Sequence, residues 1–305
     1  MSMTVEDLMQ QCFTVHTADQ YDMFVQKNDI PSVREEVPGG GSALWFGSPS
    51  AKRVIAHMHG GGLVMYASTF HFGLAYEMYK AAIASGDDVA LAVLAYDTCP
   101  SAPYPTQLRQ LAAFVTHLMH GRDSKDIDLY GDSAGGLLIL SLLLHIVHPH
   151  PKIPLLSIPA DHRLGRILMI SPTTPMVTPA MTASKNIGRD LVGVDEVAQM
   201  WNVIKGNCDP DFELVNPWFA PLSVLNEDWF ETLPAGTITI VSGGLEIFEE
   251  DIAKLAQIIK NKHQCPVDIL VDPNVGHIAF LKEGLMGIPP SEYTSRVMEW
   301  AKLRE

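Results

Sequence analysis

Two rhythms of apolar residues alternate along this chain: short continuous runs, and longer stretches with a single apolar face. Residues 89–96 are an unbroken apolar run, the pattern of a strand covered on both faces in a parallel sheet. Further strand candidates lie at 43–46, 53–58, 127–130, 167–170, 237–241 and 267–271. Between them, the spacing over 69–85 sets Phe72, Ala75, Tyr76, Tyr79 and Ala82 near one helical face. Helices are also predicted over 106–120, 136–147, 249–261 and 290–303. Strands alternating with helices, with glycines at the strand ends, predict an open, mostly parallel α/β sheet.

Two stretches leave this rhythm. Residues 1–30 carry Leu8, Cys12, Phe13, Tyr21, Met23 and Phe24 at loose helical spacing without strong caps, which reads as a helical arm packed over something. Pro38-Gly39-Gly40-Gly41 then breaks the chain before the first strand. Residues 172–216 hold Met176, Met181, Leu191, Val192, Met200 and Trp201 in short helical pieces, too apolar for a disordered linker. We read this stretch as an inserted lid that roofs a site together with the N-terminal arm. The alternative is an extra structural layer remote from any site.

Composition narrows the picture. A chain of 305 residues with 47% hydrophobic content buries a large core, and proline and glycine are too evenly spread to mark a linker, so one domain with an insertion is expected. The formal charge of −14 contains no tail-like block and disfavours a nucleic-acid partner. Cys12, Cys99, Cys208 and Cys265 lie far apart, as free thiols in a reducing compartment do. The first seven residues include the acidic Glu6 and Asp7 where a signal peptide has a basic start, and the most apolar run, 137–147, is too short to span a bilayer. These features predict a cytoplasmic protein with no integral membrane segment, and leave a homodimer open.

The candidate chemistry centres on Gly131-Asp132-Ser133-Ala134-Gly135. A serine between glycines, after a strand and before a helix, suits a turn so sharp that bulkier neighbours would collide, and the helix N-terminus aims free N–H groups at it. Upstream, His59-Gly60-Gly61-Gly62 follows a buried strand, as an oxyanion-binding loop requires; a flexible surface turn is the plainer reading. Serine needs a base to take its proton and a carboxylate to orient that base. Glu246 and His277 each fall just past a predicted strand, in the chain order Ser, acid, His. Asp97 comes too early for the acid, and Glu250 and Asp251 sit inside the next helix. His57 and His59 form an H-x-H pair, but no third ligand cluster accompanies them and no metal is expected. His145, His148 and His150 read as a helix end and its exit, with His145 near the C-terminal dipole.

Taken together, His59-Gly60-Gly61-Gly62, Gly131 to Gly136, Gly243-Gly244-Leu245-Glu246 and Gly276-His277-Ile278-Ala279-Phe280 resemble the hormone-sensitive-lipase family of α/β-hydrolases, over roughly residues 53–300. The resemblance implies an eight-stranded, mostly parallel sheet flanked by helices, with a cap built from about 1–35 and 172–216. It also implies a serine ester hydrolase of the carboxylesterase kind, with no cofactor. The N–H groups of Gly61, Gly62 and Ala134 would then bind the oxyanion, His59 would have a structural role, and Leu63, Tyr66, Met176 and Trp201 are the candidate substrate-binding side chains. Three departures stand out. Glu246 replaces the usual aspartate; residues 95–101 replace the usual D-Y-R-L-A-P-E, removing a charged support network; and Leu63-Val64-Met65-Tyr66 lacks an aromatic directly after the glycines. The substrate expected is a small ester or acyl compound with an apolar or aromatic group. Two other functions use the same residues differently: an acyltransferase, cyclase or condensation catalyst on a complex metabolite, whose lid excludes water, and a small-molecule binding protein that keeps the fold without the chemistry.

Overall fold

The computed structural model describes residues 4–159, 162–209, 213, 215–222 and 227–302. Residues 1–3 of the expected arm, and 210–212 and 214 of the expected insertion, lie outside them. The chain begins with helices α1 (Val5–Thr14) and α2 (Thr17–Lys27), then strands β1 (Arg34–Glu36), β2 (Ser42–Phe46) and β3 (Arg53–Met58). Alternation follows: α3 (Thr69–Ala84), β4 (Val89–Ala95), α4 (Thr106–Leu118), β5 (Ile127–Asp132), α5 (Ala134–Val147) and β6 (Leu164–Ile170). After α6 (Pro179–Thr182) and α7 (Val194–Gly206) come β7 (Ala235–Gly243), α8 (Glu249–Lys262), β8 (Val267–Asp272), α9 (Ala279–Met286) and α10 (Glu292–Trp300).

Among the described residues eight strands form one sheet, in the order β1-β2-β4-β3-β5-β6-β7-β8. The β1–β2 and β2–β4 pairs are antiparallel and the remaining pairs parallel. The two-residue period of a strand sends alternate side chains to opposite faces, and β4 shows both faces filled. Ala90, Ala92 and Leu94 join a core with Leu108 and Leu111 of α4, Leu138 and Leu142 of α5, and Ile252 of α8. Val89, Leu91 and Val93 join a second core with Tyr21 of α2, Phe72 and Met78 of α3, Phe280 of α9 and Tyr293 of α10. No helix among the described residues is long and apolar enough to cross a membrane.

Several elements differ from the sequence expectation. The arm is two helices, and α1 is strongly capped: Thr4 Oγ1 accepts from the Asp7 N–H at 3.1 Å while Asp7 Oδ2 accepts from the Thr4 N–H at 2.9 Å. Strand β1 carries no hydrophobic period and exists through its pairing with β2. Helix α5 starts at Ala134, two residues earlier than its apolar run suggests. On α3, Tyr76 and Tyr79 are only half-buried, while His71, Leu74 and Met78 are buried. His145 lies in the last turn of α5, and it also fastens the loop leaving the helix: its Nδ1 accepts the His150 N–H at 3.0 Å and its Nε2 lies 3.1 Å from the Pro154 carbonyl.

Candidate active site

Strand β5 turns into α5 within a single residue, Ser133, at φ 53° and ψ −120°. A non-glycine residue holds such a backbone conformation only when its surroundings over-determine it. Here the Ser133 N–H donates to the Ile170 carbonyl at 2.8 Å. A side chain at position 131 would put Cβ 2.6 Å from the Gly135 carbonyl, and one at 135 would collide with the Met58 carbonyl. Both flanking glycines are therefore steric requirements of the turn, because backbone faces backbone at each.

The side chains of Ser133, His277 and Glu246 meet at this turn. His277 Nε2 lies 2.9 Å from Ser133 Oγ, and His277 Nδ1 lies 2.9 Å from Glu246 Oε2. A carboxylate only accepts, so the proton on Nδ1 faces Glu246 and leaves Nε2 as acceptor for the serine hydroxyl. Glu246 is fully buried; its Oε1 accepts from Ser171 Oγ at 2.6 Å and from the Gly243 N–H, and Ser171 Oγ also meets Tyr293 OH at 2.8 Å. These bonds fix the longer side chain that stands in for aspartate. Burial works against a charged His277, but the hydrogen bond and charge of Glu246, then the charges of Asp190 and Asp132, outweigh it and raise its pKa above the usual 6.5. The rival carboxylates are engaged or turned away: Asp97 accepts from Gln110 at 2.6 Å, Asp251 accepts from Thr178 at 2.6 Å, and Glu250 is exposed.

Beside the serine runs the loop His59-Gly60-Gly61-Gly62, with φ 101° at Gly61 and 61° at Gly62. The N–H groups of Gly61, Gly62 and Ala134 find no acceptor among the described residues. The loop is anchored through its histidine. His59 Nδ1–H donates to the Gly60 carbonyl at 2.8 Å, Thr17 Oγ1 donates to His59 Nε2 at 3.2 Å, and Tyr96 stacks on the ring at 4.2 Å while donating to the His59 carbonyl. Burial, with the neighbouring His71, pushes the His59 pKa down to about 3, so this ring is a neutral strut.

The charged support judged absent from residues 95–101 takes another form. Asp132 accepts from the Gly60 N–H at 3.0 Å and lies 3.1 Å from His57 Nε2 and 3.3 Å from His71 Nε2. The Ser68 N–H donates to His71 Nδ1 at 3.0 Å, which leaves the proton on Nε2 for the carboxylate. Burial alone would raise the Asp132 pKa, but His71 and His57 outweigh it and hold the carboxyl well below the usual range. A Cβ on Gly60 would collide with Asp132 Oδ2, so the carboxylate reads the glycine directly. Meanwhile Gln110 and Gln107 hold the 97–102 loop through Asp97 and Ala102. In sequence His57 is half of an H-x-H pair and His71 carries no local signal; their shared partner Asp132 lies far along the chain from both.

The four candidate substrate contacts have different surroundings. Tyr66 is half-buried, its ring 4.4 Å from His16 and its N–H donating to the Cys12 carbonyl at 2.7 Å, so the N-terminal helices hold it. Leu63 is buried in the core and its carbonyl accepts the Cys99 N–H at 2.8 Å. Met176 is half-buried in the loop after β6, and Trp201 is half-buried with its ring 6.4 Å from Phe219. Met200 of α7 reaches the glycine loop: its Sδ occupies the space a Cβ on Gly62 would need. A small, mostly apolar pocket begins one turn beyond Ser133, lined by Leu137, Leu140, Pro172, Thr173, Leu222 and Leu255.

A family model described as the alpha/beta hydrolase fold matches residues 55–281, most of the chain. The chain belongs to the α/β-hydrolase fold family. Over 91 residues this α/β-hydrolase is 34% identical to LipR of Mycobacterium tuberculosis, a protein named as an acetyl-hydrolase. That match covers 30% of this chain and spans only 28% of the length of the curated relative. Among solved structures, a mutant of the esterase E40 aligns over 94% of this chain and 91% of its own, with 23% identity and a TM-score of 0.67. An esterase from the bacterial hormone-sensitive lipase family covers 93% of this chain and 90% of its own, at 24% identity and a TM-score of 0.64. Carboxyl esterase 2 of Tuber melanosporum covers 88% of this chain and 84% of its own, at 20% identity and a TM-score of 0.66. At such identities the solved structures establish the α/β-hydrolase fold of this chain and no more.

Proposed function

We propose that this α/β-hydrolase is a serine carboxylic ester hydrolase that works through an acyl-enzyme. The observation that carries the reading is the hydrogen-bonded series Ser133 Oγ, His277, Glu246, with 2.9 Å at each of its two links. His277 takes the hydroxyl proton as Ser133 Oγ attacks the ester carbonyl, and Glu246 stabilises the imidazolium that forms. The oxyanion of the tetrahedral intermediate is received by the N–H groups of Gly61, Gly62 and Ala134, the last lying at the positive end of α5. His277 then protonates the departing alkoxide, and water, activated by the same imidazole, releases the acid. No cofactor is needed for any of these steps.

Residues 1–35 and 172–216 act as a cap in this reading, supported by the contacts of Met200 with Gly62 and of Tyr66 with His16 and Cys12. The apolar side chains Leu137 and Leu140, on the helix that follows Ser133, favour an apolar acyl or alcohol group, and the naming of LipR as an acetyl-hydrolase favours short acyl chains. The test is Ser133→Ala. We expect it to abolish turnover of a short-chain nitrophenyl ester and labelling by a fluorophosphonate while the far-UV circular dichroism stays unchanged. Undiminished turnover in that variant removes the mechanism.

A further inference from the structure

The insertion between β6 and β7 does more than lie over the glycine loop. Asp190, between α6 and α7, accepts the backbone N–H of His277 on Oδ1 at 2.7 Å and the backbone N–H of Ile247 on Oδ2 at 2.8 Å. One carboxylate thus spans the loop that carries the acid and the loop that carries the base. Four residues earlier, Asn186 is buried and its amide donates to the carbonyls of Gly244 at 3.1 Å and Glu246 at 2.9 Å. The turn between them is closed by the Arg189 N–H on the Asn186 carbonyl at 2.9 Å. Position 276 is packed against the same carboxylate: a Cβ there would come within 2.7 Å of Asp190 Oδ1.

From this geometry we propose that Asp190 is a positioning residue, which holds His277 and Glu246 in register and makes their alignment depend on the docked insertion. The proposal rests on the hydrolase reading above. The two loops are also joined directly, by the Gly244 N–H on the Asp272 carbonyl at 2.7 Å and the Leu245 N–H on the Val275 carbonyl at 3.0 Å. Those bonds join the two loops without involving Asp190. What Asp190 alone contributes is the bond at the backbone of His277 itself, together with a negative charge close to the ring. The groups facing that ring are Glu246 from the loop after β7, Asp132 from the end of β5, Ser133 Oγ, the ring of Phe248 at 4.9 Å, and Asp190 from the insertion. Each of the three carboxylates favours the imidazolium, and only Asp190 belongs to the insertion.

The experiment compares the wild-type chain with Asp190→Asn, Asp190→Ser and Asp190→Glu. It reads fluorophosphonate labelling rates and short-chain nitrophenyl ester kcat/KM across pH, with thermal melts as a check on folding. The neutral variants are expected to fold, to lose about tenfold to hundredfold at the pH plateau, the scale of an ångström-sized misplacement, and to move the acid limb to lower pH because a negative neighbour of His277 is gone. Asp190→Glu is expected to lose rate while keeping the limb in place. Neutral variants with the wild-type plateau and limb overturn the proposal, and so does loss of the folded state in both. A wild-type chain that takes no fluorophosphonate label sinks the hydrolase reading instead, which separates the two failures.

Discussion

Glu246 does two jobs with two oxygens. Oε2 faces His277, while Oε1 is held by Ser171 and the Gly243 N–H, so the carboxylate cannot swing without giving up buried hydrogen bonds. The electrostatic consequence has a definite sign. His277 is a base only when neutral, and its folded pKa lies above 6.5, so kcat/KM should rise with pH along an acid limb centred above that value. In Glu246→Gln the hydrogen bond and charge that raise the pKa are lost, while burial, which lowers it, remains. We expect the limb to move to lower pH and the plateau to fall by about 10⁴, the cost of holding a triad histidine with an amide. A pH profile of Glu246→Gln with an unmoved limb would mean that Glu246 does not set the basicity of His277. That a glutamate could fill this place was readable from its position after a strand; the Ser171 and Tyr293 side chains that fix it were not, because each comes from a distant segment.

At the scale of elements, the β5–α5 turn and the neighbouring end of β3 are fitted backbone to backbone. A methyl group at position 135 would strike the Met58 carbonyl, and neither side can yield by changing rotamer. We expect Gly135→Ala to cost about 1–3 kcal/mol or more by overpacking and to suppress fluorophosphonate labelling. Gly206→Ala, at the end of α7 with nothing within 4 Å of the new Cβ, should be neutral or gain up to about 1 kcal/mol. Equal melting temperatures for the two variants would contradict the steric argument. The same contrast explains which elements were legible. Strands β3 to β8 are marked by their own apolar runs, and the turn at Ser133 by its own glycines. Strand β1 is made by its partner, α9 is only eight residues long and starts from Ile278 at φ 43°, and the α1 cap uses Asp7 where the common signal is glutamate or glutamine. The contact of Met200 with Gly62 is equally silent in sequence, since α7 gives no local sign of which residue faces the loop.

Across the whole molecule the sheet sets the proposed chemistry and a buried ionic cluster at opposite edges. Parallel strands bring the residues that follow β3, β5, β7 and β8 to one edge, where His59, Ser133, Glu246 and His277 gather; the alternation of elements was enough to foresee this. The opposite edge holds a buried ionic cluster that the sequence does not announce, because its members come from four elements. Asp128 accepts from Arg53 Nη2 at 2.6 Å and from Arg166 Nη2 at 3.0 Å, while Arg53 also reaches the Ala301 carbonyl after α10 at 3.3 Å and pairs with Asp87. The Arg166 guanidinium lies 4.7 Å from the Trp300 ring centroid. Removing the shared carboxylate breaks a buried ion pair with Arg53 and another with Arg166, a change that typically costs about 3–5 kcal/mol. Five residue steps separate Asp128 from Ser133, roughly 16 Å at strand rise, beyond the range at which independent sites couple strongly. Asp128→Asn should therefore lower the denaturation midpoint by an amount of that size while leaving kcat per fluorophosphonate-titrated site unchanged at low temperature. If kcat per titrated site drops and the midpoint holds, the two edges are mechanically joined through the strands, and the division of labour argued from the sheet is wrong.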